Sequence, residues 1–468
     1  MKREKLLLIN TFVLSLGTVL PKAATFLILP ILTTALTKSE YGTYDLIITS
    51  LSLVLPIFSL LIEQAVFRFL LDKNTDETRK KIITNSSIYV FFSSIFLFLI
   101  SMAVLNRFNI EYKILVSIYM VINMYYSYVI QACRGLGLLK KYSTASIINS
   151  VLNLLLIFIF VGQKSLGFYG LLISLIISIV FATGYVIASS GIVKLISFKL
   201  FDLMYIKELL KYSFPLLPNS VSWWVVGVSD RWIITAFLSV EMTAIYAIAN
   251  KIPSLFSLLY NNFNLAWQES ATVTSKDNDA KEYYTNIFNN LWNFLVGILL
   301  LLITTSPVLF KLFIDESYFL AYYQMPILFL AMFFHSLAAY FGGMYVAFKK
   351  TKSIGLSSFI AAFLNISINL LLISKIGLYA ASLSTLVSYF ALSFYRAIDL
   401  QKSIQIKYSF AKIIFSISIV VFVAIISYLN VNILNALNFI IAVLVAIILN
   451  RNLLVGVLSK VRKKINQL

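Results

Sequence analysis

From Ser143 the chain reads Ser143-Thr-Ala-Ser-Ile-Ile-Asn149-Ser-Val-Leu-Asn153-Leu-Leu-Leu-Ile-Phe-Ile-Phe-Val161-Gly-Gln-Lys164-Ser-Leu-Gly167-Phe-Tyr-Gly170-Leu-Leu-Ile-Ser174-Leu-Ile-Ile-Ser178-Ile-Val-Phe-Ala182-Thr-Gly-Tyr-Val-Ile-Ala-Ser189. One charged residue, Lys164, divides the stretch into two runs. A helix that crosses the hydrocarbon of a bilayer needs about 20 mostly apolar residues. Each run is that long, neither alternates polar with apolar positions, and both exceed the length of a barrel strand. In lipid a helix satisfies its own backbone groups. The stretch therefore reads as two membrane helices joined by a short turn.

Working outward, the same pattern recurs. Fourteen apolar runs are expected as spans, at 9–35, 43–67, 82–105, 114–133, 143–162, 168–189, 212–237, 243–268, 287–310, 321–348, 355–373, 378–395, 409–429 and 433–450. Composition agrees: 60% of the 468 residues are apolar and 12% are charged. A soluble domain carries roughly 25% charged residues. The opening Met1-Lys-Arg-Glu-Lys resembles a secretory leader, but the apolar run after it is too long, carries Lys22 and shows no small-residue cleavage site, so a first spanning helix is expected. A single cysteine, Cys133, excludes an internal disulfide.

The net charge of +19 has a topological reading rather than a nucleic-acid one. With fourteen spans, only Lys38, Arg107, Lys113, Lys164, Lys311 and Lys375 fall on one side. Lys22, Arg231 and Lys251 fall inside spans, and the other twenty-nine basic residues share the side of both termini. The positive-inside rule places that side, with both termini, in the cytoplasm.

The chain also repeats. Asn149-x-x-x-Asn153-Leu-Leu-Leu-Ile returns as Asn365-x-x-x-Asn369-Leu-Leu-Leu-Ile, and Glu63-Gln64-Ala is answered by Gln268-Glu269-Ser-Ala. Because each repeat holds an even number of spans, the two copies share one orientation, as the halves of many transporters do. The expected organisation is a first lobe at 1–190, a cytoplasmic linker at 191–211, a second lobe at 212–400, and two further helices with a basic tail at 401–468. Six of the eight prolines (Pro21, Pro30, Pro56, Pro215, Pro218 and Pro253) fall in the first two spans of each lobe. They are expected to bend those helices and to take part in gating.

Ionisable groups within spans are costly and mark cavities or partners. Lys22, Arg231 and Lys251 are the first candidates, with Asp45 and Asp230 at comparable depth and Glu63, Arg68 and Arg134 at the span ends. Internal pairing, such as Asp230 with Lys251, is the alternative reading for the second-lobe groups. The lone His335 is more readily a helix-bridging group than a proton carrier. The two asparagine pairs, each spaced i, i+4, read as contacts between helices. The sequence shows neither a Gly-rich phosphate loop nor enough His and Cys for a metal site of that type. No metal and no cofactor is expected, and loops of about 20 residues leave little room for the catalytic domain a membrane enzyme would need.

Five stretches carry a family likeness: Leu29-Pro30-Ile-Leu-Thr-Thr-Ala-Leu-Thr-Lys-Ser-Glu40-Tyr41-Gly42-Thr-Tyr44, Gln64-Ala65-Val-Phe67-Arg68, Tyr212-Ser-Phe-Pro215-Leu-Leu-Pro218, Asp230-Arg231-Trp-Ile-Ile, and Ile245-Tyr246-Ala-Ile-Ala-Asn250-Lys251. In order and spacing the chain resembles the bacterial polysaccharide-repeat flippases (O-antigen, capsule and exopolysaccharide) of the multidrug/oligosaccharidyl-lipid/polysaccharide exporter superfamily. The resemblance implies an all-α, polytopic inner-membrane protein that flips undecaprenyl-diphosphate-linked oligosaccharides by alternating access. It implies no nucleotide site, an ion gradient (H+ or Na+) or the membrane potential as driving force, and membrane lipids and polysaccharide polymerase or export machinery as partners, with no nucleic acid. On that reading Lys22, Arg231 and Lys251 receive the diphosphate, since lysine and arginine replace the hydration of phosphate oxygens. Acidic residues like those of drug-exporting relatives are not evident in the first lobe, which disfavours a multidrug/cation antiporter. A repeat-unit polymerase is the alternative of another class.

Overall fold

The computed structural model describes residues 20–72, 75–107, 110–275, 277–429, 431–451 and 455. The first nineteen residues and most of the basic tail after Arg451, both used above for orientation, lie outside the described residues. Sixteen α-helices and no strand are found among those described. Eleven of them are long and apolar enough to cross a membrane. The chain is an all-α, polytopic membrane protein.

Two compact units divide the chain at Trp224 and Val225. The first holds α1 (Leu20–Ala35), α2 (Lys38–Ser59), α3 (Ile62–Leu70), α4 (Asp76–Arg107), α5 (Lys113–Gly135), α6 (Leu139–Ile157), α7 (Gly167–Ser190), α8 (Leu203–Ser213) and the opening turns of α9 (Leu217–Phe237). Within it α7 packs on α5 and α6, and α5 on α3 and α4. The contact face of α7 is a stripe of small residues, Gly170, Ser174, Ser178 and Ala182, all buried. Small residues at i, i+4 spacing let membrane helices approach closely.

The second unit holds the rest of α9 with α10 (Val240–Thr274), α11 (Ala280–Phe313), α12 (Met325–Ala347), α13 (Thr351–Ile376), α14 (Leu378–Gln401), α15 (Phe410–Leu429) and α16 (Asn432–Leu449). Here α14 packs on α12 and α13, α12 on α10, and α15 and α16 attach to α11. The stripe of α7 returns on α14 as Ala380, Ser384 and Ser388, likewise buried. Both helices start at a glycine with positive φ: Gly167 at 54° and Gly377 at 58°. Residues with a Cβ rarely adopt that backbone, so the repeat preserves the turn along with the stripe. Close approach also explains Gly343: a Cβ there would stand 2.7 Å from the indole of Trp267, which bonds the Tyr340 carbonyl at 2.9 Å and stacks on its ring at 4.6 Å.

Three stretches expected to span are helical without meeting the same length and apolarity: α1, α9 and α10. For α1 the described part starts only at Leu20. The first turns of α9 carry Asn219, Ser220 and Ser222, and its centre carries Asp230 and Arg231. α10 carries Asn250, Lys251, Asn261, Asn262 and Asn264. Of these polar residues, Asp230, Arg231, Asn250 and Lys251 matter next.

Two boundaries differ from expectation. The second expected span, 43–67, is broken: Leu60 and Leu61 both adopt left-handed backbone, at φ 48° and 56°, and end α2 before α3 begins. The twelfth, expected to end at 395, continues to Gln401, so Arg396 is a helix residue rather than a loop residue.

Candidate functional site

In the second unit, four helices converge on one carboxylate. Asp230 of α9 is 2% exposed. Its Oδ2 accepts hydrogen bonds from the Thr385 hydroxyl of α14 at 2.8 Å and the Tyr246 hydroxyl of α10 at 3.0 Å. Its Oδ1 accepts one from Asn369 Nδ2 of α13 at 2.9 Å. Asn365, one turn before Asn369, directs its own Nδ2 to the Thr385 hydroxyl at 3.5 Å. The i, i+4 spacing of the two asparagines puts both on the face that meets α9 and α14. A buried carboxylate costs several kcal/mol unless its lone pairs are satisfied, and here three neutral donors perform that task. The side-chain oxygens of Asn365 and Asn369 are also buried and accept no hydrogen bond from the described residues. The carboxylate, two hydroxyls and two amides form a buried polar cluster that joins α9, α10, α13 and α14.

Arg231 follows Asp230 and is half-buried. Its Nη1 donates to the Gly227 carbonyl at 3.2 Å, and its guanidinium lies 5.3 Å from the Tyr246 ring centre. Tyr246 thus touches the carboxylate with its hydroxyl and the arginine with its face. Lys251 is half-buried on α10, one residue past Asn250, whose Nδ2 bonds the Tyr246 carbonyl at 2.8 Å. Of the prolines, Pro253 lies inside α10. Pro215 and Pro218 do not bend a helix interior: Pro215 sits in the 3-10 turn Phe214–Leu216 and Pro218 in the first turn of α9. A missing N–H is tolerated there, because those amides have no intrahelical partner.

In the first unit the candidates are scattered. Lys22 is exposed on α1, which also carries Pro21 and Pro30. Asp45 is buried on α2, 5% exposed. Glu63 opens α3 and is half-buried, while Pro56 lies in α2 four residues before the break at Leu60. Arg68 is exposed and paired with Asp72 at 2.6 Å. Arg134 lies with its guanidinium 4.5 Å from the Phe67 ring centre and bonds Gln131 at 3.0 Å. These two arginines are held by their own neighbourhood.

Three partners of the carboxylate could not be read from the sequence. Tyr246, Asn369 and Thr385 lie 16, 139 and 155 positions from the residue they bond. A second buried group was hidden by its charge. Arg396 is 4% exposed and donates to the Ala338 carbonyl at 2.7 Å and to the Ser357 and Ser358 hydroxyls at 3.1 Å each. The signal was there in Leu392, Arg396 and Leu400, which are all buried at i, i+4 spacing. His335 on α12 meets Tyr389 edge-on, with ring centres 4.8 Å apart. Among the described residues no group of three or more His, Cys, Asp or Glu could hold a metal ion.

Residues 7–268, more than half of the chain, match the sequence model of the family described as polysaccharide biosynthesis protein. The chain belongs to this family. No curated protein matches it. Among solved structures, the lipid II flippase MurJ in an inward closed conformation is similar over 96% of this chain and 100% of its own, with TM-score 0.67 and 14% identity. An inward-facing multidrug resistance MATE family transporter of the MOP superfamily covers 84% of this chain and 98% of its own, with TM-score 0.67 and 12% identity. A MOP superfamily transporter from Pyrococcus furiosus, noted for the reverse polarity of its binding pocket, covers 83% and 94%, with TM-score 0.58 and 13% identity. This member of the polysaccharide biosynthesis family therefore has the fold of MOP superfamily transporters.

Proposed function

We propose that this chain flips polyprenyl-diphosphate-linked oligosaccharide units from the cytoplasmic to the outer leaflet of the bacterial inner membrane by alternating access, for cell-surface polysaccharide synthesis. The observation that carries the reading is membership of a polysaccharide biosynthesis family by a chain whose fold is that of transporters. A polysaccharide pathway that builds its units on a lipid carrier needs a protein to move a sugar-bearing diphosphate across hydrocarbon, and a helical transporter supplies it. Lys22, exposed on a membrane helix, is the residue assigned first to the diphosphate, with Arg231 and Lys251 as further contacts. The termini are assigned to the cytoplasm by the distribution of basic residues.

For energy, Asp230 is assigned the coupling ion. Its cluster can exchange a proton or accept a monovalent cation in place of the donors it now holds. A ligand shifts a two-state equilibrium only through different affinities for the two states. A carboxylate on one helix bonded from three others of the same unit provides such a difference when those helices shift. The polymerase alternative draws no support from the geometry, in which the most deeply placed polar cluster is a helix-joining one.

The test compares Lys22→Arg with Lys22→Gln. If charge is what matters, the arginine variant supports polymer export, while the glutamine variant accumulates lipid-linked repeat units at normal membrane abundance. Losing one hydrogen bond to a charged group costs about 1.5–3 kcal/mol, roughly a 10–150-fold loss in apparent affinity. Full export by Lys22→Gln would remove the assignment.

A further inference from the structure

The segment between α7 and α9 has two unlike faces. One is fixed to the first unit. The Ser197 amide donates to the Thr84 hydroxyl at 2.8 Å, Asn85 Nδ2 to the Leu200 carbonyl at 3.0 Å, and the Asp202 amide to Asn85 Oδ1 at 2.7 Å. The Asp202 carboxylate pairs with Lys81 at 2.8 Å, and that ammonium holds the carboxyl below its usual range. Helix α8 buries Ile206, Leu209 and Ser213 and packs on α3 and α4.

The other face is apolar and basic together. Phe198 is 75% exposed, Met204 73%, Leu203 69% and Val193 55%. Lys194, Lys199, Lys207 and Lys211 are exposed among them, against one exposed acid, Glu208. Leu203, Lys207 and Lys211 follow one another at i, i+4 along a single ridge of α8, with the apolar residue at one end and the ammonium groups beyond it. In water, four large apolar side chains exposed in one short segment would be a liability. They stand in a segment that starts at Ser190, the end of a helix long and apolar enough to cross a membrane, and its other face is fixed to α4, another such helix, which keeps it at the bilayer edge.

We propose that this segment lies on the membrane and that its outer face is a binding surface for anionic phospholipid headgroups, with Phe198, Leu203 and Met204 sunk at the boundary of the acyl chains and the four lysines reaching the phosphates. Apolar anchors with interleaved lysines are the composition of helices that lie in the interfacial plane. Anionic lipids of the cytoplasmic leaflet attract such lysines, and in this respect the proposal rests on the orientation given under Proposed function. Because Lys81, Thr84 and Asn85 clamp the other face, lipid bound here is coupled directly to α4.

The test needs no transport assay, so its failure leaves the flippase reading standing. The full chain carrying Cys133→Ala and Met204→Cys is labelled at position 204 with an environment-sensitive fluorophore. It is placed in nanodiscs of phosphatidylcholine, or of phosphatidylcholine and phosphatidylglycerol in equal parts. The expected result is blue-shifted emission that nitroxide groups on shallow lipid positions quench, with stronger quenching in the anionic discs. Replacing Lys194, Lys199, Lys207 and Lys211 by Gln is expected to remove the difference between the two compositions. Water-like, unquenched emission in both discs would overturn the proposal. So would a shift that grows with protein concentration in detergent without lipid quenching, which would mean that a second copy covers the face. A preference for anionic discs that survives the lysine replacements would overturn the headgroup assignment.

Discussion

The two units use the same asparagine pair to different ends. In the second, Asn365 and Asn369 are fully buried, and Asn369 reaches across to a carboxylate on another helix. In the first, Asn149 and Asn153 are only half-buried, although, as in the second, their side-chain oxygens accept no hydrogen bond from the described residues. The described part of α1 carries no carboxylate, and the exposed Thr25 hydroxyl on it bonds the Pro21 carbonyl of its own helix at 3.0 Å. The second helices differ as well. α10 runs unbroken from Val240 to Thr274, whereas α2 is interrupted by two left-handed leucines. Duplication thus supplied two similar frames. One carries a polar lock around a carboxylate, and the other carries a strained break.

The largest effect should come from removing the carboxylate. Asp230→Ala takes the acceptor from the Tyr246 hydroxyl and the Asn369 amide, at about 1–3 kcal/mol for each buried group so stranded, while the Thr385 hydroxyl keeps the Ala381 carbonyl at 2.9 Å. Thr25→Ala should stay within about 0.5 kcal/mol of wild type, as exposed substitutions do. Thermal unfolding of the purified variants checks both, and equal losses would break the comparison.

A smaller contrast belongs to the asparagines. Asn369→Ala removes the donor to Asp230 Oδ1 and should cost about 1–3 kcal/mol, whereas Asn153→Ala should cost less than about 1 kcal/mol. Denaturation in detergent would sharpen the comparison if the two values separate.

The smallest concerns the backbone. A left-handed residue bearing a Cβ costs roughly 1–2 kcal/mol, so Leu60→Gly should relieve strain and leave stability unchanged or raised. A glycine set into the continuous helix α10, Ala249→Gly, should destabilise by at least about 0.5–1 kcal/mol. If both glycines destabilise alike, the break at Leu60 is not strained.

Much of this fold was legible because a bilayer imposes one simple demand, long apolar runs with basic residues gathered on one side. The repeat was legible from the two asparagine pairs and the Glu63-Gln64-Ala match. The site was legible only as single residues. Asp230 and Arg231 stand out by charge, yet Tyr246 and Thr385 are ordinary in a chain with 27 tyrosines, and only folding brings them to the carboxylate. Arg396 was assigned to a loop because a charge usually ends an apolar run. Here the serines of α13 and a carbonyl of α12 satisfy it inside the fold. The break at Leu60 and Leu61 had no signal at all, since leucine is neither a turn former nor a helix breaker, and Pro56 marks only its vicinity.

The most direct test of the proposed activity is flipping by the purified chain in proteoliposomes. A fluorescent oligosaccharide on a polyprenyl diphosphate is placed in one leaflet, and its loss from that leaflet is followed with and without an imposed proton or sodium gradient. Flipping by the wild type should quicken under one of these gradients, should lose that response in Asp230→Asn, and should fall in Lys22→Gln. Export of a cationic dye with no movement of the diphosphate lipid would contradict the account.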